Sequence, residues 1–251
     1  MEWQDNALIL SVRPFQETGV ILELMSRLHG RHLGLVRGGV GRALRGVLQP
    51  GNGVMASWRA RLADQLGSFQ VELTEERASD FLHSPLLLAG LQSAACVLSG
   101  ALPEREAHEP AYLGLTALLD AARVTRESDW AGLYVMWEMG LLSELGFGLD
   151  LSRCTVTGAM DDLTHVSPRT GRAVSRAAAA PYAEKLLRLP AFLLGRQAGE
   201  ITPGDIRDGL MLTGHFLERH VLWPHEKPLP PVRARLAELA AAGPAPGAES
   251  R

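Results

Sequence analysis

The sequence predicts a mixed α+β protein in which a five-stranded OB-type β-barrel comes first and a mainly α-helical domain follows. Two observations carry this. Five short runs with apolar residues at every second position fill about the first 75 residues, separated by Gly-rich turns and with no helical pattern among them, which is how a small barrel reads. From residue 84 the apolar period lengthens to that of amphipathic helices. The barrel is therefore expected over residues 1–79 and the helical domain over 80–242. The segment 243–251, GPAPGAESR, is read as a disordered tail.

Alternation assigns each strand a face, because successive side chains point to opposite sides of a sheet. It puts Leu8, Leu10 and Val12 inward in ALILSVRP, and Val20, Leu22 and Leu24 inward in GVILELMS. It puts Leu33 and Leu35 inward in RHLGLVR, with Arg31 and Arg37 emerging at the strand ends. Val54, Ala56, Trp58, Ala60 and Leu62 point inward in VMASWRARL, which leaves Arg59 and Arg61 together on the outer face. Phe69, Val71 and Leu73 complete the interior from SFQVELT.

Helix starts are legible from caps and prolines. Ser84 before Pro85 opens the first, with Gly100 as a stop, and Glu109 with Pro110 opens the second. A third begins near Ser128 and carries Trp130, Leu133, Tyr134, Trp137, Leu141 and Leu145 on one face before Gly146. Thr202 and Pro203 start a fourth, with Ile206, Leu210, Leu217 and Val221 along it, and Pro231 a fifth. Between the third and fourth lies LSRCTVTGAMDDLTHVSPRTGRAVSRAAAAP, with turn residues and two short β-like runs. The most apolar segment, PLLLAGLQSAACVLSGAL, is broken by Gln92 and two serines and is shorter than a comfortable membrane span. It reads as a buried helix with Cys96 in the core, so no membrane association is expected.

The formal net charge of −3 supplies no global positive field. Charge is instead patterned locally. Between Glu23 and Asp64 there is no acidic residue, while the window holds Arg27, Arg31, Arg37, Arg42, Arg45, Arg59 and Arg61 with His29 and His32. Inside it, GRHLGLVRGGVGRALRGVLQPGNG, residues 30–53, has eight glycines and four arginines without a carboxylate or lysine. Such a run fits either a solvated face or an electrostatic footprint for nucleic acid, and its length in an acidic chain favours the footprint. The seven arginines are the candidate binding residues. Phe, Trp and Tyr make up only 6% of the chain, and Trp58 and Phe69 point inward. Stacking platforms are few, so phosphate contacts should dominate and binding should ignore sequence.

Catalytic patterns fail on specific residues. Gly41 and Gly46 have P-loop spacing, but Val47 and Leu48 stand where Lys and Ser or Thr would meet phosphate and magnesium. GNGVMA matches a loose dinucleotide fingerprint, yet a strand follows it where a helix should open. His215 and His220 are five apart, one too many for a zinc-binding helix pair. Glu75 with Glu76 and Asp161 with Asp162 lie at a strand end and in a turn, where solvated acids are common. No enzyme and no cofactor are expected. Two cysteines, Cys96 and Cys154, make no disulfide framework, and without a signal segment the expected compartment is the cytoplasm.

Five ordered pieces, VRPFQETGVILELMSRLHGRHLGLVRGG, LRGVLQPGNGVMASWRAR, LYVMWEMGLLSELGFGLDLSRCTVTGA, DDLTHVSPRTGRAVSR and HFLERHVL, extend over nearly the whole chain. Through them the sequence resembles the RecO family of bacterial DNA-repair recombination mediators. The resemblance implies an N-terminal OB fold joined to a helical domain, no catalytic residues, and a nucleoid-associated role. It implies binding of single- and double-stranded DNA and annealing of complementary strands. It also implies loading of RecA, together with RecR, onto strands coated with single-stranded-DNA-binding protein, whose acidic C-terminal tail docks on RecO. The Arg window coincides with the family's basic DNA-binding region. Many relatives hold zinc with four cysteines in a finger-like hairpin insertion, here at about residues 150–180. Cys154 retains the first position, but Thr157, Ser175 and Ala178 occupy the other three. Even with His165 the set is incomplete, so a hairpin without metal is expected. Barrel and basic stretch alone leave open an OB-fold RNA-binding or ribosome-associated factor.

Overall fold

The computed structural model describes residues 1–62, 64–195 and 200–242; the expected disordered tail lies outside them. Strands β1 (Glu2–Phe15), β2 (Gly19–Ser26), β3 (Gly30–Val36), β4 (Gly53–Arg59) and β5 (Ser68–Glu75) close into a barrel in the order β1-β2-β3-β5-β4. All pairings are antiparallel except the contact of β3 with β5 at Leu35 and Ser68. All five strands fall where the alternation places them.

The interior contains Ala7, Ile9, Val20, Leu22, Leu24, Val36, Val54, Ala56, Trp58 and Phe69. This corrects the faces of two strands. In β1 the register shifts between Ile9 and Ser11, so Leu10 is an inserted residue and the inward set passes from Ala7 and Ile9 to Val12. A bulge of this kind reverses the apparent parity of everything before it. Leu8 and Leu10 are buried on the outside instead, under a helix that packs on β1. In β3 the inward residues are His32, Gly34 and Val36, paired with Leu24, Leu22 and Val20, and Leu33 and Leu35 are half-buried outside. Gly34 faces in because the Phe69 ring occupies the space, where a Cβ would stand 2.5 Å from Phe69 Cδ2. Leu62 and Leu73, expected inside, are exposed: β4 ends before Leu62, and Leu73 lies beside the register shift at Gly53 and Val54. His32 is buried against Trp58 and Trp3 with neither ring nitrogen hydrogen-bonded. Burial pushes its pKa down to about 4, so the ring is neutral.

Two compact units divide the chain, Met1–Val124 and Thr125–Arg251. The change from strands to helices near residue 80 thus falls inside the first unit, which also holds α1 (Ala78–Leu82), α2 (Pro85–Ala101) and α3 (Glu109–Ala121). Ser84 caps α2 by accepting from Leu87 N at 3.2 Å, and α2 is the helix that covers β1. Cys96 is exposed, not core: it follows Gln92 by four residues on the outward stripe of α2.

The second unit contains α4 (Glu127–Glu144), a three-stranded sheet of β6 (Leu163–Val166), β7 (Ala173–Ser175) and β8 (Leu187–Arg188), the short α5 (Arg176–Ala179), α6 (Pro203–Phe216) and α7 (Pro231–Ala242). Thr202 and Asp205 form a capping box on α6, which continues as a π-helical turn over Leu217–Leu222. Trp130 and Trp137 are buried in α4, whereas Trp223 is 61% exposed. No helix among the described residues is long and apolar enough to cross a membrane.

Candidate nucleic-acid interface

The Gly-Arg stretch leaves β3 at Val36 and returns at Gly53 as a folded loop. Gly38 turns the chain with φ +66°, a conformation glycine adopts without strain, and Gly41 N donates to Gly38 O at 2.9 Å. One helical turn follows, with Leu48 N donating to Leu44 O at 2.8 Å. Leu44, Val47 and Leu48 on this turn pack onto the barrel core. Asn52, fully buried, ties the loop down: its Nδ2 donates to Gly46 O and Val47 O, and its Oδ1 accepts from the backbone N–H groups of Arg77 and Ala78. Leu44, Val47 and Leu48 are thus used inward, and Arg37, Arg42 and Arg45 remain exposed without an ion pair among the described residues.

The structure separates the seven candidate arginines. Arg31 is mostly buried, paired with Glu23 at 2.8 Å and Glu104 at 3.8 Å, and it donates to Leu102 O. It holds the barrel to the segment after α2 and cannot reach a phosphate without breaking those bonds. Arg27 meets Glu109 at 2.7 Å and Arg59 meets Glu2 at 2.9 Å, both on the surface, where such pairs are weak and exchange readily. Arg61 joins Arg37, Arg42 and Arg45 as exposed and unpaired among the described residues. Arg37, Arg42 and Arg45 follow the end of β3, and Arg61 follows the end of β4. Val40 N bonds Thr18 O, setting the Gly-Arg loop against the β1–β2 turn, and Leu35 N bonds Gly67 O at 3.1 Å, drawing the β4–β5 loop to the same place.

Sequence reasoning missed Arg13, also exposed and without an ion pair among the described residues. Glu17 and Glu23 separate it from the acid-free window in sequence, but β1 pairs it with Ile21 of β2, beside that window. Strand pairing, not composition, is the signal that finds it.

In the insertion, Cys154 Sγ accepts from Thr157 N at 3.4 Å, Ser175 N at 3.2 Å and Ser175 Oγ at 3.4 Å. Burial opposes ionisation of this thiol, but the donors from Ser175 and Thr157 outweigh it and bring its pKa down to about 6. The groups around the sulfur are amides and a hydroxyl. No set of three His, Cys, Asp or Glu residues able to hold a metal occurs among the described residues, so the residues present do not fit a structural zinc that needs four N or S ligands. We expect protein purified without chelator to contain less than about 0.1 equivalent of zinc. One equivalent by elemental analysis would overturn this.

The fold and this surface define an OB-barrel protein with an arginine-lined rim, joined to a helical unit that carries a small hairpin sheet. The model for the recombination protein O N-terminal domain matches residues 1–77, and that for the recombination protein O C-terminal domain matches residues 82–228. The chain is 50% identical over 238 residues to the DNA repair protein RecO of Phenylobacterium zucineum, covering 95% of this chain and 97% of that one. It is 49% identical over 242 residues to the protein of that name from Caulobacter vibrioides, covering 95% and 98%. It is 48% identical over 240 residues to the one from Rhodospirillum centenum, covering 95% and 94%. The chain belongs to the RecO family of DNA-repair proteins.

Proposed function

We propose that this chain is a non-enzymatic DNA-binding mediator of recombinational repair. The observation that carries the reading is the loop of residues 37–52, whose Leu44, Val47 and Leu48 seat on the barrel while Arg37, Arg42 and Arg45 face solvent unpaired among the described residues. Unpaired guanidinium groups on a barrel rim suit phosphates, which both single and double strands offer. A surface that neutralises phosphates without reading bases can hold two complementary strands while they search for register, which supports annealing. Family membership supports the remaining steps: action with RecR, loading of RecA onto strands coated with single-stranded-DNA-binding protein, and docking of that protein's acidic tail.

A groove of about 510 Å³ in the second unit supports the docking step. Leu186, Leu187 and Met211 line it together with Arg188 and Arg207, which share Asp208 at 4.0 and 3.2 Å. An apolar terminal residue fits such a floor, with the guanidinium groups meeting its carboxylate. The test has two arms on the intact protein. Single-stranded DNA should displace structured RNA of equal length in a competition assay, and an acidic peptide ending in an apolar residue should bind by calorimetry. Preference for the RNA would favour an RNA-binding factor, and silence towards the peptide would remove the docking step.

A further inference from the structure

The outer face of β2 and β3 has two ends of opposite character. At one end Glu23 and Met25 are buried, and Arg31 closes the face through Glu23, Leu102 O and Glu104. At the other end nothing of this kind occurs among the described residues. There the strand register aligns Arg13 of β1 with Ile21 of β2 and Ile21 with Leu35 of β3. One row further along, Phe15 pairs with Gly19. Residues 13 and 15 share a strand face, opposite to the inward Val12. Gly19 contributes no side chain, and the Leu35 side chain leans over it: a Cβ there would stand 3.1 Å from Leu35 Cδ1 and 3.0 Å from Phe15 O. The result is a low apolar floor of Phe15, Ile21 and Leu35, in which Phe15 is 39% exposed.

The floor is edged by cations. Arg13 lies on β1 beside it, Arg37 follows directly on β3, and Arg61 lies on the β4–β5 loop that Leu35 N holds through Gly67 O. None of the three has an ion pair among the described residues, and the exposed acids nearest in sequence are Glu17 and Asp64. An aromatic ring on an apolar strip bordered by unpaired guanidinium groups is complementary to a strand that presents bases and phosphates together. Duplex DNA, whose bases are already stacked, presents only the phosphates.

We propose that this end of the β2–β3 face is a base-stacking site for single-stranded DNA, with Phe15 as its aromatic platform and Arg13, Arg37 and Arg61 as its phosphate contacts. The proposal rests on the DNA-binding reading above and adds to it a preference for unpaired bases. It also answers the scarcity of aromatic residues: one platform at the mouth of the basic loop is enough to tell a single strand from a duplex.

The experiment compares the intact wild-type chain with Phe15→Ala, Phe15→Trp and Arg13→Gln, using fluorescence anisotropy with a labelled oligothymidylate and a duplex of equal length. Phe15→Ala should weaken single-strand binding by about fivefold or more, the loss of one stacked base, and change duplex binding by less than twofold. Phe15→Trp should restore the single-strand affinity, with indole emission quenched on binding. Arg13→Gln should lower the slope of log affinity against log salt by about 0.7. If the wild type binds both DNAs and folded Phe15→Ala binds both equally well, or loses both alike, the stacking site is wrong while the DNA-binding reading stands. If the wild type binds neither DNA, both fall.

Discussion

Replacing Arg42 and Arg45 by Glu should weaken binding to every DNA sequence alike, because phosphate contacts carry no sequence information. With five unpaired arginines, Arg13, Arg37, Arg42, Arg45 and Arg61, each releasing counterions from a single strand, the slope of log affinity against log salt should be about −3.5. Losing two contacts should bring it to about −2 and reduce affinity at 0.1 M salt by at least about 25-fold. Strand annealing should fall with it. The fold should survive, since both side chains are exposed and the loop is held by Leu44, Leu48 and Asn52. Surface changes of this kind cost no more than about 0.5 kcal/mol. Arg31→Glu is the contrasting variant. It would place a third carboxylate against Glu23 and Glu104, so it should lower thermal stability before it touches the salt slope. Wild-type affinity and slope in the folded Arg42/Arg45 double variant would show the loop to be only a solvated turn.

A second large effect is expected in the second unit, which Arg233→Met should destabilise by about 3–5 kcal/mol, the cost of leaving a buried carboxylate uncompensated. Glu138 in α4 is fully buried and Arg233 of α7 is 2% exposed. The pair is bidentate, Nε to Oε1 at 2.6 Å and Nη2 to Oε2 at 2.8 Å, and Nη2 also donates to Leu210 O of α6. Thr213 completes the shell by donating to Glu138. Burial disfavours the guanidinium charge, but Glu138 beside it prevails and raises the Arg233 pKa. The double variant Glu138→Leu with Arg233→Met should recover most of the loss, because two apolar side chains leave no orphaned charge. Urea midpoints of the two variants check this; equal destabilisation of single and double would mean that packing, not charge, holds α7.

Much of this architecture was legible because it is written at short range. Strand periodicity, the Ser84 and Thr202 caps and the prolines at helix starts act over a few residues, and the corresponding elements stand where these signals put them. The buried pair was not legible. Glu138 follows Trp137 on a helix whose apolar residues dominate the pattern, and its partner lies 95 residues away. The candidate site was half legible: the acid-free window marks the right surface, but composition cannot say which arginines find carboxylates. Arg27 finds Glu109 across 82 residues, and Arg31 finds Glu104 through the isolated bridge that joins their backbones.

By itself the sequence determined the order and type of elements, the OB class of the barrel, and the one-signed charge of its rim. Family membership rests on the same ordered residues. Only the tertiary structure decided which face of β1 and β3 turns inward, because apolar residues stand on both faces of those strands and both are covered, one by the barrel interior and the other in part by α2 or the segment after it. A bulge at Leu10 and the Phe69 ring over Gly34 settle that choice. It decided equally which arginines stay free, since an ion pair forms through space between residues the chain places far apart. Periodicity and charge runs are properties of neighbours in sequence; burial and pairing are properties of neighbours in the fold.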